Sequence, residues 1–161
     1  MVTNRRIWWI VIPVLLLSLA QSPSGVAGRE LDEETQAQLT SGFELLARNN
    51  LAAAQEQFAQ VIKRDFDNPF ANNNLAAIME KQGRWPDALA YLKVAEVQAS
   101  EYPQRIETLY LIGGVVAAVK PEKAPAPQNQ LAAIIAENKN KLMERLGLAG
   151  TDKPGTPATG K

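Results

Sequence analysis

The chain has 161 residues, 46% of them hydrophobic and 21% charged, so it can bury about one domain's core. Cysteine and histidine are both absent, which excludes disulfides, thiolate nucleophiles, Cys/His zinc sites, histidine-based triads and imidazole switches. Seventeen Lys+Arg balance seventeen Asp+Glu, so there is no basic footprint for nucleic acid.

Residues 1–20 read as a signal peptide. Arg5 and Arg6 form a basic start, Ile7 to Ala20 carries no charge, and Pro13 interrupts it. A spanning helix needs roughly 20 apolar residues, more than this run supplies. Ser18-Leu19-Ala20 offers small residues where a signal peptidase cuts, with Ala27 as the alternative site. An exported chain would then start at Gln21 or Gly28 and work in the bacterial periplasm. The competing reading keeps the segment as a membrane anchor.

Residues 21–29 read as a flexible leader. A helical pattern then starts near Leu31, with Glu30, Asp32, Glu33 and Glu34 where a helix dipole favours acids. Leu39, Phe43 and Leu46 make its apolar face, and Arg48-Asn49-Asn50 ends it. Leu51, Ala54, Phe58, Val61 and Ile62 form a second stripe. Asp67-Asn68-Pro69 opens a third with Leu75, Ala76 and Met79, closed by Gly83. Pro86 opens a fourth, with Ala88, Leu89, Leu92 and Ala95. Ile106, Leu109, Ile112, Gly113 and Val116 give a fifth at helical spacing. Residues 119–128, with Pro121, Pro125 and Pro127, read as a proline-rich linker. Leu131, Ile135 and Leu142 mark a last helix over 129–147, and residues 148–161 read as a disordered tail. No window alternates with period two, so the expectation is six helices and no strands.

The second and fourth stripes overlay at one constant offset: Ala54 with Ala88, Phe58 with Leu92, Val61 with Ala95. In the helices before them the same offset aligns Gly42 with Ala76, and Asn49 with Gly83. The pattern Gly42…Ala54-x-x-x-Phe58 and Ala76…Gly83…Ala88-x-x-x-Leu92 resembles the tetratricopeptide repeat family. That family's helix–turn–helix unit has the same period, about 34 residues. Gly42, Ala54, Ala76 and Ala88 are small where paired helices approach closely, and Phe58 and Leu92 fill the wider space one turn on. The resemblance covers roughly residues 35–118. It departs from the family at Gln38 and Asn72, where an aromatic is usual. It implies an all-α fold: antiparallel helix–turn–helix pairs over 30–118, stacked in a short right-handed solenoid, with 129–147 as a C-terminal capping helix.

The search for chemistry is negative. Ser22, Ser24, Ser41 and Ser100 lie in no nucleophile motif. Gly113-Gly114 lacks the ending of a phosphate loop, and Asp65 and Asp67 read as turn acids. No catalytic residue, metal or cofactor is expected, and a carboxylate-dependent enzyme is the remaining catalytic alternative. In the family the first helices line a concave groove that takes a peptide or helix of another protein. The resemblance puts Phe43, Phe70, Asn73, Asn74, Ala77, Tyr110 and Leu111 in that groove. Leu39, Glu107 and Leu111 stand where a carboxylate-binding groove would be basic, so an extended segment or a neutral amphipathic helix is the expected ligand. Asn74 is expected to contact that ligand without supporting the fold. The function implied is a scaffold or assembly factor in an envelope complex.

Overall fold

A computed structural model describes residues 28–126 and 129–148. The segments expected as signal peptide, most of the expected leader and nearly all of the expected tail lie outside the described residues. Among the described residues, five α-helices and one two-stranded antiparallel sheet make the fold: α1 (Glu33–Ala47), α2 (Leu51–Arg64), α3 (Pro69–Lys81), α4 (Trp85–Gln98), β1 (Gln104–Tyr110), β2 (Ala117–Pro125) and α5 (Gln130–Arg145). Each helix starts for a local reason. The side chains of Asp32, Asn50, Asn68 and Asn129 accept the backbone N–H three residues on, and Pro69 and Pro86 occupy first turns. The Asp32 carboxyl is held below its ordinary value by its bonds from Thr35.

The helices pack as pairs, α1 with α2 and α3 with α4, then α2 with α3 and α4 with α5. The second pair repeats the first, down to its hydrogen bonds. At the end of α1, Arg48, Asn49 and Asn50 donate to the carbonyls of Glu44, Leu46 and Leu45. At the end of α3, Gln82, Gly83 and Arg84 donate to Ile78, Glu80 and Met79. Both turns need a left-handed residue, met by Asn49 at φ 57° and Gly83 at φ 74°. The end of α5 makes the same set again, from Leu146, Gly147 and Leu148 to Leu142, Glu144 and Met143. Ile78-Met79-Glu80 and Gly83 thus recur as Leu142-Met143-Glu144 and Gly147. The ends of α3 and α5 are therefore alike in capping bonds and in local sequence, with β1 and β2 lying between the two helices in the chain.

That insertion overturns the expectation of no strands. The fifth stripe and the proline segment form a hairpin, pairing Tyr110 with Ala117, Thr108 with Val119 and Ile106 with Pro121. Gly113, at φ 77°, supplies the positive φ of the turn that Gly114 N–H closes onto Leu111 C=O. The ladder tolerates Pro121 because alternate residues of a strand point their polar backbone away from the neighbour. Ala117, Val119 and Pro121 are those residues in β2, so the missing N–H takes nothing from β1.

The core runs through all the helices and the hairpin. Ala54, Phe58, Ala76, Ala88 and Leu92 are fully buried, as are Leu131, Ile135 and Leu142 of α5. Gly42 marks the closest approach within the first pair, where an added Cβ would lie 2.5 Å from Phe58 Cε1. Gly42→Ala should therefore cost about 1–3 kcal/mol by overpacking, and Phe58→Ala about 3–5 kcal/mol by a cavity. The double variant should lose less than the sum, because the smaller residue at 58 admits the Cβ at 42. Denaturant melts of the four proteins check this; strict additivity would contradict the packing.

Candidate functional site

Strand β2 packs across α1, α3 and α5, along the side where the groove was expected. Its outward backbone groups meet four side-chain amides. Gln36 Nε2 donates to Pro121 C=O at 2.9 Å. Val119 donates its N–H to Asn74 Oδ1 at 2.7 Å, and its carbonyl accepts Asn74 Nδ2 at 2.8 Å. Ala117 donates to Asn138 Oδ1 at 2.9 Å, and its carbonyl accepts both Asn73 Nδ2 and Asn138 Nδ2. Asn138 also donates to Asn73 Oδ1 at 2.8 Å, which fixes both amides. A primary amide carries a donor and an acceptor side by side, as a peptide unit does. The row of amides does what a third strand would do for β2.

Of the expected groove residues, Asn73 and Asn74 lie against the chain's own strand and Phe43 has Lys120 of β2 over its ring, whereas Phe70 packs edge-on to Tyr102. Phe70, Asn73 and Asn74 are 0% exposed, and Phe43, Ala77 and Leu111 are buried as well. Tyr110 stands apart on β1, 49% exposed, with Lys141 Nζ 5.3 Å from its ring centroid. The bond to Glu137 and that to Tyr110 hold Lys141 above its ordinary pKa. Two expectations fail here. Asn73 and Asn74 are not open to a ligand, and Asn74 supports the fold directly. The fifth stripe, expected as a first helix, is strand β1 and the hairpin turn, and Tyr110 and Leu111 belong to that hairpin.

Four contributors carried no motif. Gln36 and Asn138 complete the amide row. Glu80, almost wholly buried, accepts the N–H groups of Val115 and Val116 and so anchors the hairpin loop. Arg145 answers its charge at 3.2 Å, donates to Gly113 C=O and stacks 5.0 Å over the Trp85 ring. The alignment of Leu142-Met143-Glu144…Gly147 with the end of α3 was the available signal for Asn138, since the same register sets Asn138 on Asn74.

Two openings border the start of α1. One small pocket is lined by Arg29, Glu30, Asp32, Arg64, Asp65 and Tyr102. Burial and the neighbouring Asp65 push the Tyr102 phenol well above its ordinary value, so it stays protonated and donates to Asp65. The larger opening is a cleft between α1 and the base of the hairpin, walled by Glu33, Gln36, Ala37, Thr40, Ser41 and Glu44 on α1. Leu31, Pro103, Gln104, Glu122 and Lys123 face them. Among the described residues no group of three or more acids could hold a metal, and no helix is long and apolar enough to cross a membrane. No family model, curated protein or solved structure matches the chain.

Asn74→Ala leaves Val119 with a buried N–H and C=O and no partner, so it should cost about 2–4 kcal/mol. Tyr110→Ala should cost under about 1 kcal/mol, since the ring is half-exposed. Equilibrium unfolding of both variants tests the order; an Asn74→Ala protein as stable as wild type would contradict the amide row.

Proposed function

We propose that the chain is an exported, non-catalytic protein-interaction module. Its helices form a tetratricopeptide-like array of two pairs and a closing first helix. It takes an extended segment of a partner protein, as a scaffold or assembly factor in an envelope complex. The observation that carries this reading is the amide row. The surface made by α1, α3 and α5 already holds one extended strand, through backbone groups that any sequence possesses.

The resident strand changes where a partner binds. The amides of Asn73, Asn74 and Asn138 are saturated by β2, so the site passes to the cleft on the other side of Gln36. That cleft follows one stripe of α1, residues 33, 37, 40 and 44, which share a helix face. The periodic repetition of helix ends and the recurrence in α5 support the array. The one buried carboxylate among the described residues supports structure: Glu80 is spent on the hairpin loop and Arg145.

Ala37 is exposed and faces the cleft, so Ala37→Trp blocks it without touching the core. We expect a partner captured from envelope extract to bind this variant at least about tenfold more weakly, a loss of about 1.4 kcal/mol. The control Ala133→Trp, on the exposed face of α5, should bind normally. Both variants should melt within about 0.5 kcal/mol of wild type. Full binding by Ala37→Trp would overturn this assignment of the site.

A further inference from the structure

We propose that β1 pairs antiparallel with β1 of a second copy, Thr108 against Thr108 on a two-fold axis, so that two hairpins join into one four-stranded sheet. The hairpin stands on edge in the helical groove. Strand β2 lies on the amides at its floor. One face of the sheet meets α1, where Lys120 Nζ stands 5.3 Å from the Phe43 ring centroid. The opposite face meets α5, where Lys141 Nζ stands 5.3 Å from the Tyr110 ring centroid. The outer edge of β1 is therefore the side that points out of the groove, and Thr108 is exposed on it.

That edge is open. Val119 turns its N–H and C=O to Asn74, so Thr108 directly opposite turns its own away from β2, and Ile106 and Tyr110 follow the same alternation. The Ile106 N–H meets Gln130 Oε1 at 3.3 Å. Among the described residues no group meets the N–H or C=O of Thr108 and Tyr110. Edge strands are usually blunted by a bulge, a proline or a lysine. Strand β1 has a bulge between Gln104 and Ile106 and the cover of Gln130, both at one end. From Thr108 to Tyr110 it has none of these, and Glu107 alongside is neutralised by Lys120 at 2.7 Å.

The strand is complementary to itself. With Thr108 on the axis, Ile106 of each copy faces Tyr110 of the other, and threonine–threonine and aromatic–β-branched neighbours are favourable cross-strand pairs. At the centre the two Thr108 residues exchange N–H to C=O bonds. Tyr110, 49% exposed, is covered by that contact, and Ile112, 91% exposed at the turn, comes to the base of the other hairpin. Centring the pair on Glu107 instead would set like charges opposite one another. The chain's own ends compete poorly for the edge, because Pro23 and Gly25 before α1 and Pro154, Gly155 and Pro157 after α5 are unfavourable strand residues.

The chain has no cysteine, so one introduced thiol is its only thiol. Across the axis the two Thr108 Cα atoms lie about 5.5 Å apart, within disulfide reach, whereas the two Arg105 Cα atoms lie about 20 Å apart. Under mild oxidation of the full chain, Thr108→Cys should form a linked dimer at least about tenfold faster than Arg105→Cys. In sedimentation, Thr108→Lys should self-associate about fivefold more weakly than wild type, because like charges meet on the axis, and an equimolar mixture with Thr108→Glu should restore the association. Both positions are exposed in the single copy, so melting at low concentration should be unchanged. Equal linking rates for the two thiols overturn the proposal, as does a wild-type chain that stays monomeric to about 1 mM. Association unaltered by Thr108→Lys would place the contact elsewhere and overturn it too. A monomeric wild type whose captured partner is lost by Thr108→Lys would give the edge to a foreign strand and refute the second copy as its occupant.

Discussion

The fold depends on how the buried backbone of β2 is satisfied. A strand in a helical groove has no neighbouring strand on that edge, and an unpaired buried N–H or C=O costs about 1–3 kcal/mol. Gln36, Asn73, Asn74 and Asn138 remove that cost by standing where a third strand would stand. They come from three helices, so the strand ties α1, α3 and α5 to one another. Take away the amides and the hairpin has an unsatisfied edge; take away the hairpin and three fully buried asparagines lose their partners. The polar network therefore specifies one arrangement, which a purely apolar groove would not do.

The loop of the hairpin follows the same logic. Glu80 would be a poor core residue alone, since a buried carboxylate needs partners. Two backbone N–H groups and Arg145 provide them, and Arg145 in turn covers the Trp85 ring. So the hairpin is held at its tip by α3 and α5, and along β2 by α1, α3 and α5. What it leaves open is a face of α1 that, among the described residues, no other helix covers. The acids there have two explanations. Glu33 and Glu34 suit the positive end of the helix, but Glu34 also has Arg64, whereas Glu33 faces the cleft.

Much of this was legible in the sequence. The four apolar stripes, their constant offset and the small residues at 42, 54, 76 and 88 correspond to real helices and real close contacts, because helix packing leaves a helical periodicity in the chain. The hairpin was not legible, for three reasons. Ile106, Leu109, Ile112 and Val116 fall at helical spacing by coincidence. Ala117, Ala118 and Val119 are all buried, so period-two alternation is erased. Pro121 reads as a strand breaker, and only its outward-facing position makes it harmless. The groove was legible as a composition of helices but not as an occupied surface. Nothing in Asn72-Asn73-Asn74 says whether the amides face solvent, a ligand or the same chain.

The most direct test is amide hydrogen exchange of Ala117 and Val119 in the full-length protein. Their N–H groups point away from β1 and are held only by Asn138 and Asn74. If side-chain amides hold β2 in the groove, both exchange as slowly as the core amides of α3, through global unfolding. Exchange as fast as that of the exposed hairpin turn at Ile112 would mean that β2 leaves the groove readily, and would contradict the account.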